Sequence, residues 1–481
     1  MMGHSSANGD TWRAQRRALL VEPPLLQVLH TVRKVGHRGL AARRAELLGR
    51  VVLDAQIEQA ESIARRRLSL QRVTADFRPR WQGRRVGREV IWRAMRSSPL
   101  RAVRRHAYYA EDPLYRRSQS GLRTLAELRN ERARAAGFRS FPDYRLAMEG
   151  LTVASMNRLF EEALRYAPEE MRRWRRLFEE RTRVRSWAPW DVEYAQQLER
   201  GLPDSSFPGR SMVDVVIAAM RQWGFTRSQL DFRVDQHDLA SGGLCLTPDP
   251  PSDVRVIVHP SGGFWPYFAL FHETGHAIAA RSVRQPTHLL RDPERAPGFG
   301  GLLEAEAGFF EQIVWSPAWL GTRPALNPEQ IRSAAQGARR GALLAIANLA
   351  VWTQQELTLY LHPHRDPAAE GARTATRIFG YDPYRPRSFA DSFAIESPLY
   401  GVSYLLAELI RAQMMEAALA EVGPKLWPNR KIGPWLVQNI FRDGALLDWK
   451  QRLRAATGTP FSAAAFNREI RTASAETGGS A

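Results

Sequence analysis

The sequence predicts a mainly α-helical protein with one small β-sheet, and three observations carry that expectation. Apolar residues recur at helical spacing over most of the chain, and β-branched runs are confined to one short stretch. The 481 residues are 44% hydrophobic and 25% charged, which is ample material for a large core and far from the composition of a chain that stays unfolded.

The elements follow in order. From about Thr11 to Ala110 the chain is basic and helical in pattern, with Leu47, Leu48, Val51, Val52 and Ala55 along one helix face. Its clusters Arg65-Arg66-Arg67 and Arg84-Arg85 read first as a solvated face and second as an interaction surface. Met156, Leu159, Phe160, Ala163 and Leu164 mark an amphipathic helix that Pro168 stops. Around Leu244 to Thr247 and Val254 to Val258 the pattern changes to short β-branched runs joined by a Pro- and Asp-rich turn, which predicts a small hairpin. After the turn signal Ser261-Gly262-Gly263 a helix is expected over about 264–280, and another over about 302–315 that Ser316-Pro317 ends. Two longer helices fit Asn327 to Leu361 and Tyr400 to Ala420. The expected organisation is a disordered tail over 1–11, a basic helical region over 12–110, one large catalytic unit over 111–472, and a second tail over 473–481.

Composition removes several classes. No stretch approaches the roughly 20 apolar residues needed to cross a bilayer, and Met1 to Asp10 is polar where a secretory apolar region would lie. A cytoplasmic protein with no membrane span is expected. Cys245 is the single cysteine, so an intrachain disulfide and a cysteine-based metal site are both excluded. The net charge of +19 is compatible with an anionic partner. Nearly all of it is Arg, however, with Lys only at Lys34, Lys425, Lys431 and Lys450. Arg dominance with abundant Ala, Gly and Pro is what GC-rich coding produces without functional demand, and nucleic acid is not expected as a partner.

The chemistry concentrates in His272-Glu273-Thr274-Gly275-His276. On a helix, positions four apart lie one above the other, so His272 and His276 share a face and can bind one zinc ion through their imidazoles. Glu273 then stands beside the water that such an ion activates, where it can act as general base. The motif follows Phe268-Ala269-Leu270-Phe271, so its helix is expected to be buried, where two His and a Glu would be costly without a partner.

A hydrolytic zinc takes three protein ligands and keeps one position open. A third His six residues after the second is ruled out, because Ser282 stands there. The carboxylates of Leu302 to Glu311 are next. Glu304 and Glu311, seven positions apart, face one way, and Glu306 is turned about 200° from Glu304. Glu304 is the expected third ligand and Glu311 a group that orients a ligand His. Glu306 stays open as the alternative ligand.

These residues resemble the thimet oligopeptidase and oligopeptidase F group of zinc peptidases, with kinship to angiotensin-converting-enzyme-like and Taq-type carboxypeptidases. Those share a His-Glu-x-Gly-His helix and a third ligand that opens a Glu-x-x-Ser-x-x-x-Glu helix; here Glu304, Ala307 and Glu311 stand in its places, with Ala307 for Ser. Leu128-Arg129-Asn130-Glu131 with Ala133, Gly137-Phe138 and Tyr144 is similar to a segment of the family's N-terminal helical half. Asp253-Val254-Arg255-Val256 is similar to its strand beside the bound peptide, and Tyr404 to Glu408 to the helix after its catalytic tyrosines. The likeness spans about Leu122 to Ala420.

The resemblance implies a two-lobed helical fold about a deep channel, one zinc ion, short peptides as substrate, and a tyrosine that holds the oxyanion. Tyr404 is the first candidate for that tyrosine and Tyr400 the second. Two departures stand out: Ser392 occupies the place of a family His, and the family's glycine-rich loop is reduced to Gly401. They leave a second reading, a zinc hydrolase or related enzyme acting on a specialised non-peptide amide. A third reading, a binding protein with a structural zinc, would call for four protein ligands. Oligomeric state is left open.

Overall fold

The computed structural model describes residues 39–478 apart from Ser186, 238–241, Ala296 and 390–391. The expected tail over 1–11 and the start of the basic region lie outside the described residues. Of the expected second tail over 473–481, the last helix, Ala464–Gly478, takes in the first part, and 479–481 lie outside the described residues.

Helices dominate, and four of them frame the site. The motif helix spans Phe264–Ser282, the acidic helix Gly300–Val314, the long helix Pro328–Leu361 and the tyrosine helix Tyr400–Val422. Their starts are written locally. Asn327 caps the long helix by accepting from Gln330 N at 2.9 Å while Gln330 answers to Asn327 N at 3.0 Å, and Pro328 sits in the first turn where its missing N–H is not needed. Pro168 has a second role besides stopping Val153–Ala163. It lies in the first turn of the next helix, Ala167–Thr182.

The expected hairpin is one part of a larger sheet. A two-residue ribbon pairs β1 (Arg80–Trp81) with β2 (Arg84–Arg85). Beside the motif helix, β4 (Gly243–Asp249) runs antiparallel to β5 (Asp253–Val258), and β3 (Arg233–Gln236) adds in parallel on the far side of β5. β3 escaped the sequence reading because its four residues, Arg-Val-Asp-Gln, carry too little apolar alternation to signal a strand. The order β3-β5-β4 makes the Asp253–Val258 strand central, with β3 and β4 at the edges among the described residues.

Two hydrophobic cores form. The larger joins Leu47, Val51, Val52 and Ala55 to Phe271 and Ile278 of the motif helix, Phe309 of the acidic helix and Leu405 of the tyrosine helix. The smaller gathers Ile63, Leu70, Leu122, Tyr144, Tyr360 and Ile395. Part of the Arg-rich composition is structural. Arg104, Arg129, Arg411 and Arg452 are buried, and each meets a carboxylate, at 2.7 Å from Asp191, 3.0 Å from Glu58, 3.0 Å from Glu469 and 3.1 Å from Glu306. A buried guanidinium needs such a partner, since an unpaired charge there would cost several kcal/mol.

The acidic helix is packed between the motif helix and the tyrosine helix. At the first crossing a Cβ added to Gly275 would sit 2.8 Å from Ala307 Cα, so the glycine of the motif is what lets the two helices approach. Gly275→Ala is therefore expected to destabilise the fold by about 1–3 kcal/mol through overpacking and to weaken metal retention as the helices separate. A thermal melt with parallel metal analysis checks this, and an unchanged midpoint with full metal would sink it.

Candidate metal centre

Helical spacing and the tight crossing together bring three ligand atoms to one point. His272 Nε2 lies 3.2 Å from His276 Nε2 and 3.3 Å from Glu304 Oε2, and His276 Nε2 lies 4.0 Å from that same oxygen. Ligands about 2.0–2.2 Å from a tetrahedral zinc are separated from each other by about 3.4 Å. The triangle fits an ion of that size. Glu304 Oε2 is buried, and its nearest polar neighbours are the two imidazole nitrogens that would share a cation with it. Glu306, the alternative ligand, is turned away and accepts from Arg452 Nη1 at 3.1 Å.

The electrostatics ask for positive charge at this point. Burial alone would raise Glu304, but the hydrogen bond from His272, the His276 and His272 charges and the Tyr400 hydroxyl outweigh it and hold the carboxyl at about 2. Burial and the neighbouring His272 pull His276 down to about 4, which keeps it neutral, the form that ligates a metal. Burial also pushes Glu273 up to about 7; His272 opposes the rise and Glu304 adds to it. With Glu311 nearby, three carboxylates share a space that a divalent cation balances.

Glu273 is held against the sheet. A Cβ on Gly243 of β4 would come within 2.5 Å of Glu273 Cγ, so only glycine leaves room, and the Cys245 backbone hydrogen-bonds the carboxylate. Neither contact was drawn from the sequence, where the pair Gly242-Gly243 ahead of a strand was the available signal. His272 Nδ1 lies 2.6 Å from Glu311 Oε1, the orienting contact expected from the seven-residue spacing. Such a bond fixes the imidazole's tautomer and angle. Glu311→Gln should weaken zinc binding by about 10–100-fold, measured by competition with a chromophoric chelator; an unchanged affinity would remove this role.

No family model matches the sequence, and no curated protein matches it. Solved structures do. The metallocarboxypeptidase 1 of Trypanosoma cruzi superposes with a TM-score of 0.65 at 16% identity, over 97% of this chain and 91% of that one. A carboxypeptidase of Pyrococcus furiosus gives 0.64 at 16% identity, over 97% and 90%. PZ peptidase A gives 0.64 at 15% identity, over 96% and 84%. The chain shares the fold of these three structures.

Within the fold, the tyrosine side is built by contacts far apart in sequence. Leu399 enters the tyrosine helix with φ of 61°, a left-handed conformation that strains a leucine, and its N–H donates to the buried Glu356 Oε2 at 2.6 Å. Tyr400 donates its hydroxyl to Glu304 Oε1 at 2.5 Å. Its ring stacks on Phe393 at 5.7 Å and meets Tyr404 edge-on at 5.1 Å. Tyr404 is half-buried; burial raises its phenol, and the charges of Glu304, Glu311 and Glu273 raise it further, so its hydroxyl keeps its proton. Of the two candidates, Tyr400 is engaged with Glu304. Among the described residues no helix is long and apolar enough to cross a membrane.

Proposed function

We propose that this chain is a zinc-dependent metallopeptidase that hydrolyses short peptides, with His272, His276 and Glu304 as ligands of one ion. The observation that carries this reading is the convergence of those three side chains, with Glu273 beside them, inside a fold shared with carboxypeptidases. A bound zinc ion supplies polarisation of the scissile carbonyl and lowers the pKa of water towards neutral.

The rest is the work of this chain's residues. Glu273, pushed to about 7, can accept a proton from the attacking water and return it to the leaving amine near neutral pH. Tyr404 keeps its proton and donates to the carbonyl oxygen as negative charge gathers there. Tyr400 and Glu311 hold the ligands Glu304 and His272 in place, so little reorganisation accompanies the reaction. The open edge of β4, beside Glu273, offers backbone groups to an extended peptide, which adds as a further strand and brings its carbonyl to the site. Water attacks directly and no acyl-enzyme forms.

A fluorogenic peptide library tests this. Hydrolysis that a chelator abolishes and zinc restores is expected, with one zinc per chain by elemental analysis. Zinc-replete protein that cleaves no peptide would instead favour the non-peptide amide reading.

A further inference from the structure

A cavity of about 500 Å³ is lined by Phe393, whose ring stacks on Tyr400, and by none of the residues of the metal centre. Its walls are unusual for a surface recess. The long helix contributes Trp352, 41% exposed, and the short helix Ser392–Glu396 contributes Phe393, 37% exposed. Trp92, Met95 and Tyr384 add further half-buried apolar surface. Large apolar side chains left open to solvent in a concave site mark a place that something apolar fills.

Two of the cations that line the same cavity are already engaged. Arg88 is paired with Glu111, which also accepts from Tyr115 at 2.8 Å, and Arg88 lies over the Trp92 ring at 5.1 Å. Arg387 lies over the rings of Tyr108 at 4.5 Å and Tyr115 at 5.2 Å. These contacts brace the floor, while the rings of Trp352 and Phe393 stay open to solvent. An incoming ring can stack on such faces, which adds affinity beyond the area it buries.

We infer that this cavity is a specificity recess that takes a large aromatic side chain of the substrate, with Phe393 linking it to the tyrosine side of the metal centre. The inference rests on the peptidase reading and names its substrate class: short peptides carrying Phe, Tyr or Trp near the scissile bond. The volume exceeds one aromatic side chain, so a neighbouring residue is admitted as well. Trp352 sits at the recess as a recognition surface, which accounts for a tryptophan kept out of the core on a helix whose other face is buried.

The test walks Ala, Phe, Trp or Asp through each position of a peptide that the zinc-loaded enzyme cleaves, and compares wild type with Trp352→Ala and with Ala372→Trp, whose added ring fills the cavity from its wall. Melting curves confirm that both variants fold. In wild type, kcat/KM is expected to favour Phe or Trp over Ala by about tenfold or more at one position, and both variants should cut that ratio below about threefold. No aromatic advantage at any position, an Asp preference, or an advantage that survives both variants overturns the recess while leaving the peptidase reading intact. Should wild type cleave no peptide, that reading fails, and titration with N-acetyltryptophanamide decides the recess by itself. Saturable binding weakened at least about tenfold by both substitutions supports it, and its absence overturns it.

Discussion

Replacing Glu273 by Gln is expected to lower kcat on a peptide substrate by about 10²–10⁴-fold with the zinc still bound. The carboxylate is buried on the motif helix, pressed against Gly243 and hydrogen-bonded by the Cys245 backbone, and it is not among the three converging ligand groups. Gln has the same shape and can keep the backbone contact, so the fold and the ligand triangle should survive. What it lacks is basicity. The loss should appear in kcat far more than in KM, because proton transfer belongs to the transition state. Elemental analysis showing full zinc beside a residual rate within a few fold of wild type would remove Glu273 from its role.

The second large effect separates the two tyrosines. Tyr404→Phe should cost about 10²–10³-fold in kcat with unchanged zinc affinity, the usual loss when one oxyanion donor is deleted. Tyr400→Phe should act mainly on the metal. It removes the donor that sits 2.5 Å from Glu304 Oε1, and a weakening of zinc binding by about tenfold or more is expected. The pair of measurements is decisive because the rings touch edge-on at 5.1 Å, so a general packing defect would move both variants alike. If Tyr400→Phe slows turnover at full zinc and Tyr404→Phe does not, the roles are reversed.

The part of the site that could be read from sequence is the part written within single helices. His272, Glu273 and His276 are related by helical spacing alone, as are Glu304 and Glu311, and the structure brings them together as that spacing required. The choice between Glu304 and Glu306 was not legible. It depends on how the acidic helix is rotated against the motif helix, and that rotation is set by the close crossing at Gly275 and Ala307. The engagement of Tyr400 rather than Tyr404 with Glu304 was hidden for a similar reason: it follows from the strained entry at Leu399 and its bond to Glu356, a long-range contact with no local signature. β3 was missed because its residues are polar, and the hairpin was found because its residues are not. Composition could not distinguish a solvated arginine from Arg104 or Arg452, since burial of a charge depends on a partner supplied by another element.

Arg129 shows how far that principle reaches. It is fully buried and donates to the carbonyls of Ala394 and Ile395, each at 2.8 Å, while Glu58 and Tyr360 hold it from other sides. Phe393, beside those carbonyls, backs Tyr400. Tyr360, Ala394 and Ile395 belong to the smaller core, while Val402 and Leu405 of the tyrosine helix, with Tyr404 packed against them, belong to the larger one that also holds the motif helix. Substitutions around Arg129 therefore reach Tyr400 through Phe393, and Glu304 through Tyr400. A residue in the first half of the chain, remote in sequence from the motif helix, thus bears on how Glu304 is held.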